Sequence, residues 1–331
     1  MPEQQKPARR HHVVSKFYLR RFANPRNQLI RCPLDGKAHL QSVNDATVRK
    51  DFYSVLAEGV EQDAFETELA EVETEAAAAF TAILRNGVWP PTLEHRLAVS
   101  AWIGLQHLRG EHNRRMVEQM HRILTKLEVG MATVEQIREL VNAPSDAPDD
   151  EVEAARAYIL STADSLPIHH HAHLMAIGQV LERAIMSVFD RQPWTLVEFS
   201  WDALGTSDTP VVVVPDEDAL AGLRAVGIGS APALYVPLST RAGLFMDELG
   251  ATAPDGRMSG SPELARSLNE FTLRTTRRAL YYHPDTDPFA GFEMQPPREQ
   301  EVMVSHDQLS NFIDEAALEQ GRPSWLQAST E

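Results

Sequence analysis

Apolar residues change their spacing several times along this chain, and each change marks a different kind of element. Phe17, Tyr18 and Phe22 fall within reach of one face of a short amphipathic helix over 12–22, closed by Asn24-Pro25. Leu29 to Pro33 and His39 to Val43 read as two strands around the tight turn Asp35-Gly36, with Asp51 to Val55 as a third short strand. From Glu61 the spacing becomes three and four residues. Phe65, Leu69, Val72, Ala76, Phe80 and Ile83 predict a helix over 61–85 that stops at Asn86-Gly87. Pro90-Pro91-Thr92 opens a second helical pattern that runs to Val129, with Gly104 and Gly110 as its weak points.

Shorter helices are predicted over 133–141 and 150–160, on either side of the linker-like stretch 142–150, followed by a longer one over 169–189. After Gln192-Pro193 the pattern turns to strands at 194–200, 210–215, 233–237 and 242–246. Ser261-Pro262-Glu263 starts a last strong helical pattern, and Leu280 to His283 reads as a terminal strand. The order predicts an α+β fold: a small N-terminal hairpin or sheet, a central block of long helices, and a C-terminal antiparallel β segment with a closing helix. Residues 1–10 read as a flexible tail, 11–283 as one α+β domain, and 284–331 as an extension with a helical pattern at 307–319.

Composition adds compartment and charge. The single cysteine, Cys32, rules out a disulfide within the chain and a multi-thiolate zinc site, and it fits a reducing cytoplasm. Apolar stretches are too short and interrupted to span a bilayer. The net charge is −16, yet residues 1–32 carry eight Lys/Arg against one acid, Glu3. That balance argues against a broad nucleic-acid platform, which needs many cations to neutralise phosphates. The local basic patch from Arg9 to Arg31 could still contact an acidic partner or nucleic acid.

Four constellations carry candidate chemistry. His11-His12 beside Tyr18 and several arginines could shuttle protons or bind an anion, or simply pack beside the first helix. His107-Leu108-Arg109-Gly110-Glu111-His112 lacks the spacing of either zinc-peptidase signature, and His107 with Glu111 fits an ordinary one-turn pair on a helix. His169 and His173 would share a helix face at metal-ligand spacing, although no third ligand is marked, and no metal site is assigned. Gly205-Thr206-Ser207-Asp208-Thr209-Pro210 feeds four valines. Asp208 therefore either meets a ligand at a strand mouth or closes a local turn through its own backbone. Walker A, GxGxxG and GxSxG patterns are all missing from the sequence.

Together these segments resemble the family known as domain of unknown function 4238. His12-Val13-Val14-Ser15-Lys16-Phe17-Tyr18-Leu19-Arg20-Arg21-Phe22 is similar to its opening, with Ser15 where the pattern has proline. Glu66-x-x-Leu69-Ala70-x-x-Glu73, Gln106-x-x-Arg109, Ser207-Asp208-Thr209-Pro210-Val211 and Tyr235-Val236-Pro237-Leu238-Ser239 follow in the family's order. The resemblance implies one domain and transfers no reaction or cofactor. It does single out His12, Glu66, Glu73, Gln106, Arg109 and Asp208 as polar residues on otherwise apolar elements. If these converge, they make a pocket suited to phosphoester or nucleic-acid hydrolysis, with His12 as acid/base, Arg109 as anion clamp and the acids orienting them or holding a cation. Two other readings stand beside it: a buried hydrogen-bonded network, and a non-catalytic binding module docking through its basic start.

Overall fold

The structure, a computed structural model, describes residues 10–50, 64–165, 170–216, 226–247 and 253–297. The chain separates into two compact units, Met1–Arg114 with His170–Glu299 and Arg115–His169 with Gln300–Glu331. The first holds the strands β1 (Arg10–His12), β2 (Gln28–Pro33), β3 (His39–Ser42), β4 (Val48–Lys50), β5 (Trp194–Glu198), β6 (Thr206–Ser207), β7 (Val212–Val214), β8 (Ala233–Ser239), β9 (Ala242–Met246), β10 (Gly256–Ser259) and β11 (Ala279–Tyr282). Its helices are α1 (Lys16–Leu19), α2 (Ala64–Leu84), α3 (Leu93–Leu108), α7 (His170–Phe189) and α8 (Pro262–Thr275). Helix α4 (Glu111–Met131) starts in this unit, and α5 (Val134–Leu140) and α6 (Asp149–Thr162) belong to the second. The fold is α+β.

Among the described residues, three sheets organise the first unit. The order β10-β5-β9-β8-β7 makes a five-stranded sheet, antiparallel except where β10 runs beside β5. Leu196, Leu234, Val236 and Leu244 point into the main core with residues of α2, α3 and α7, while Val197, Val212 and Tyr235 join Leu268 of α8 on the opposite face. Both faces are therefore covered, which is why these strands read as apolar runs and not as strict alternation. The other sheets are β3-β2-β11-β6 and the ribbon β1-β4, both antiparallel.

The centre of the main core is aromatic. The Trp102 ring lies 4.9 Å from Tyr18, 5.2 Å from Phe80 and 5.8 Å from Phe17, centroid to centroid. Gly104 explains how α3 approaches α7 so closely, since a Cβ there would lie 3.1 Å from the Ile185 backbone nitrogen. The glycine that weakens the helical pattern thus serves packing, and the helix runs through it. In the second unit Val129, Ile137, Val152 and Leu160 make a separate small core, and Thr133 caps α5 with a reciprocal capping box through Gln136.

Two sequence expectations are corrected. The helix expected over 12–22 is a strand followed by a short helix: Arg10–His12 pairs with Val48–Lys50, and Val13 N–H donates to Thr47 O at 3.1 Å. Extended backbone suits the β-branched pair Val13-Val14, and helix begins only after Ser15. The long helix expected from Thr92 breaks at Arg109-Gly110, where Asn113 Nδ2 donates to Leu108 O at 2.7 Å and satisfies a carbonyl at the end of α3. The break also undoes the one-turn pairing of His107 with Glu111, which sit on different helices. The strand expected at 51–55, residues 1–9 of the expected tail and the helix expected at 307–319 lie outside the described residues, while Arg10, the last residue of that tail, pairs with Lys50 in β1. No described helix is long and apolar enough to cross a membrane.

The β8–β9 turn is tied to the chain after β5 by Asp202, which accepts from Thr240 Oγ1 at 2.6 Å and from Arg241 Nε and Nη2 at 2.9 and 3.1 Å. The Arg241 hydrogen bonds, assisted by Thr240, pull the Asp202 carboxyl down to about 2. The folded value lies below the unfolded one, so this stabilisation is present above the ordinary Asp pKa and lost as pH falls towards 2. Urea midpoints of wild type and Asp202→Asn are expected to differ at pH 5 and to converge on acidification. A gap that widened towards pH 2 would contradict this.

Candidate functional site

Four of the residues singled out by pattern fall in two neighbouring constellations of the first unit, and His12 lies beside one of them. One is a polar network sealed against the main core. Arg109 is 1% exposed, and its Nη1 donates to Glu73 Oε1 at 2.8 Å. Its Nη2 donates to Gln106 Oε1 at 2.8 Å and to Ser15 Oγ, and its Nε reaches Gln106 Oε1 at 3.2 Å. Ser15 Oγ in turn donates to Glu73 Oε1 at 2.8 Å and accepts from Trp102 Nε1 at 2.9 Å. Gln106 Nε2 donates to Val13 O at 2.9 Å. The network clasps the start of α1 to α2 and α3, as buried polar groups must when water is excluded. The Arg109 guanidinium is engaged by protein acceptors along all three of its nitrogens.

Tyr18 extends the clasp to the sheets. Its hydroxyl donates to Pro237 O at 2.7 Å and is hydrogen-bonded to Thr206 Oγ1 at 2.6 Å, and burial pushes the phenol well above its ordinary range. Tyr18, Leu19 and Phe22 are fully buried. The aromatic part of the N-terminal signature is thus an anchor between helix and sheet.

The second constellation is a cavity of about 150 Å³. It is lined by Val13 and Val14 just after β1, from the four-stranded sheet by Arg31, Gln41, Ala279 and Tyr281, and from the β3–β4 connection by Asp45 and Thr47. Arg49 of β4, Glu111 and His112 of α4, Asp208 and Thr209 after β6, and Arg278 complete the wall. Glu111 stands in the first turn of α4, where the helix N-terminus favours a negative charge. It takes a forked contact from Arg49, whose Nη2 lies 3.1 Å from Oε2, and a second cation, Arg278 Nε, at 3.4 Å. The Tyr281 phenol is pushed up to about 12 by burial first and by Asp208 next, with Arg31 opposing the shift.

Asp208 satisfies neither of its two sequence readings alone. The local turn is made by Ser207, whose Oγ accepts from Thr209 N–H at 3.1 Å. The Asp208 carboxylate instead accepts N–H groups from a distant segment: Arg277 on Oδ1 and Arg278 on Oδ2, both at 3.1 Å, and more weakly Ala279 at 3.5 Å. It holds the exit of α8 into β11 and lines the cavity as well. Burial raises its pKa above the usual Asp value, the three backbone N–H groups oppose that, and Glu111 adds to it.

Thr47 makes the cavity wall unusual. It sits at φ +58°, a left-handed conformation that a β-branched residue rarely adopts. Its Oγ1 accepts from Val14 N–H at 3.3 Å and donates to Val14 O at 3.2 Å, so the strained residue is pinned from both sides. Backbone strain of this kind concentrates at ligand sites, where surrounding contacts maintain it.

His12 lies next to this wall and does not line it; its Nε2 meets Asn44 O at 3.2 Å. Glu66 lies on α2 with its side chain outside the described residues, as do the side chains of His169, His170, His171 and His173. His107 packs edge-on against His112 with ring centroids 5.7 Å apart, and burial holds its pKa down at about 4, so it is neutral near pH 7. Of the basic N-terminal patch, Arg20 and Arg26 are exposed, Arg21 stacks over Phe80 at 5.2 Å, and Arg31 turns to the cavity. Sequence reasoning passed over Arg49, Arg278, Tyr281 and Gln41. The only signal for them was that they are polar or charged residues next to short strands. Among the described residues no three His, Cys, Asp or Glu side chains are grouped to hold a metal ion.

Comparison with curated proteins and with solved structures gives no match. The model of the family described as protein of unknown function (DUF4238) matches residues 10–286, most of the chain and the whole of both constellations, and the chain belongs to that family.

Proposed function

We propose that this chain binds a small phosphoester in the cavity beside Asp208, and that it works in the cytoplasm, as its single, unpaired Cys32 suggests. The observation that carries the reading is the set of three arginines, Arg31, Arg49 and Arg278, lining one small cavity. Guanidinium groups present planar, forked donors suited to phosphoryl oxygens. Glu111 holds Arg49 and Arg278 in place before a ligand arrives, which lowers the ordering cost of binding. This moves the oxyanion-binding role from Arg109, which is enclosed in its own network, to the cavity arginines.

A hydrolytic role is favoured by one further observation. Burial and Glu111 hold the Asp208 carboxyl above its usual value, which suits a group that lends a proton to a leaving oxygen. Without turnover the same cavity is a binding module for a phosphorylated small molecule. A polymer such as nucleic acid is supported less, because the basic segment does not present a continuous cationic face among the described residues.

Calorimetric titration with a simple alkyl phosphate tests the binding. Arg278→Ala and Arg49→Ala are each expected to weaken it by about tenfold or more, the scale of one charge-assisted hydrogen bond. Unchanged affinity in both variants would refute the site. Release of inorganic phosphate from the same alkyl phosphate by wild type and not by Asp208→Asn separates enzyme from binding module.

A further inference from the structure

The cavity wall is not uniformly cationic. Opposite in character to its arginines, Gln41 of β3 lines the same space, next to Asp45 of the β3–β4 connection. Gln41 Nε2 donates to Asp45 O at 3.3 Å, and Gln41 Oε1 is buried with no hydrogen-bond partner among the described residues. A buried acceptor left unpaired is costly, and each such atom in a native structure calls for a partner. The oxygens of a phosphoryl group are acceptors and cannot supply one. They answer the arginines and leave Gln41 as it was.

Charge balance points the same way. Arg31, Arg49 and Arg278 are matched on the wall by Asp45, Glu111 and Asp208. A bare dianion entering a wall so balanced gains little from net charge, and is held mainly by the direction of the donors it meets. A ligand that is anionic at one end and donates hydrogen bonds at the other satisfies both parts of the wall. Size narrows the class further: about 150 Å³ is the volume of a cavity that takes a benzene-sized guest, so on the order of six to ten non-hydrogen atoms fit inside.

We propose that the ligand is a small phosphomonoester carrying at least one free hydroxyl, its phosphoryl group on the arginines and its hydroxyl donating to Gln41 Oε1. The proposal rests on the phosphoester reading above and adds the second half of the ligand. Gln41 is then a specificity-determining residue, since an acceptor with no other partner discriminates strongly against an analogue that lacks the donor.

Two probes of matched length decide it: glycerol 3-phosphate, which has hydroxyls, and n-propyl phosphate, which has none. With the full chain, calorimetry is expected to show glycerol 3-phosphate binding about tenfold more tightly, in keeping with one hydrogen bond to a buried group. Gln41→Leu is expected to bring the two affinities together while leaving that for n-propyl phosphate within about twofold of wild type. Gln41→Glu, which keeps an acceptor, is expected to retain the preference, and circular dichroism confirms that each variant is folded. Equal binding of the two esters by wild type, or a preference that survives Gln41→Leu, overturns the proposal and leaves the phosphoester site standing. Failure of both esters to bind, or binding indifferent to Arg278→Ala, overturns the phosphoester reading itself and this inference with it.

Discussion

Arg109→Ala is expected to cost about 3–5 kcal/mol of folding stability, the usual scale for removing one partner of a buried ion pair. The Arg109 side chain is 1% exposed and that of Glu73 26%, so Glu73 keeps some access to water and the loss belongs at the lower end of that range. Two other groups suffer with it. Gln106 Oε1 loses its guanidinium donors, and Ser15 Oγ keeps only Trp102 as a donor, in a region closed to solvent. Against a typical total of about 5–15 kcal/mol, the change removes a large part of the stability of the fold. Arg109→Lys is expected to fall between, because one ammonium cannot replace a planar fork that reaches three acceptors. Urea unfolding followed by tryptophan fluorescence reads this directly, with Trp102 inside the network as reporter. A loss for Arg109→Ala below about 1 kcal/mol, the scale of an exposed pair, would remove the network from the account of the fold.

Asp208→Ala should be the next most damaging change, at about 2–4 kcal/mol at pH 7, because two backbone N–H groups at 3.1 Å lose their acceptor at the α8–β11 junction. Part of that loss is offset, since the variant no longer buries an ionised carboxylate. Asp208→Asn should lose less, as its amide oxygen still accepts one N–H while its NH₂ faces the other. The pH dependence separates this from a generic packing defect. Burial raises the folded pKa of Asp208 above its unfolded value of 3.8, so the folded state binds the proton more tightly. Wild type therefore gains stability as pH falls from the folded pKa towards the unfolded one, and that gain is missing from the alanine variant. The stability difference between the two is expected to be larger near pH 4 than at pH 8. A difference that grows with pH would mean that the backbone N–H groups outweigh burial and hold the carboxyl down.

The two sites differ in how far they can be read from the chain. Glu73, Gln106 and Arg109 stand out through the family resemblance, as polar residues on otherwise apolar elements, and a polar residue so placed must find a partner inside the fold. A buried network was one of the arrangements open to the six residues singled out, but only these three meet in it, and Ser15 was not foreseen among them. Asp208 stood out for the same reason, at the mouth of a buried strand. Arg49, Arg278 and Gln41 did not, since charged and polar residues beside short strands are ordinary on any surface. Their significance comes from partners far along the chain, such as Glu111, which lies 62 residues from Arg49.

The N-terminal segment shows the division most clearly. Apolar spacing placed Phe17, Tyr18 and Phe22 within reach of one face, of which Tyr18 and Phe22 are fully buried, and it segregated helices and strands into an α+β order, because burial repeats with the local period of the backbone. The same spacing misread His12 as helical, since the choice between strand and helix there depends on Val48–Lys50 arriving alongside. Which polar residues are sealed and which line a cavity was likewise a matter of assembly. Arg109 and Arg278 are alike in sequence terms. One is enclosed by Glu73, Ser15 and Gln106, and the other meets Glu111 at the edge of an open space. Long-range packing sets that difference, through contacts that no local periodicity records.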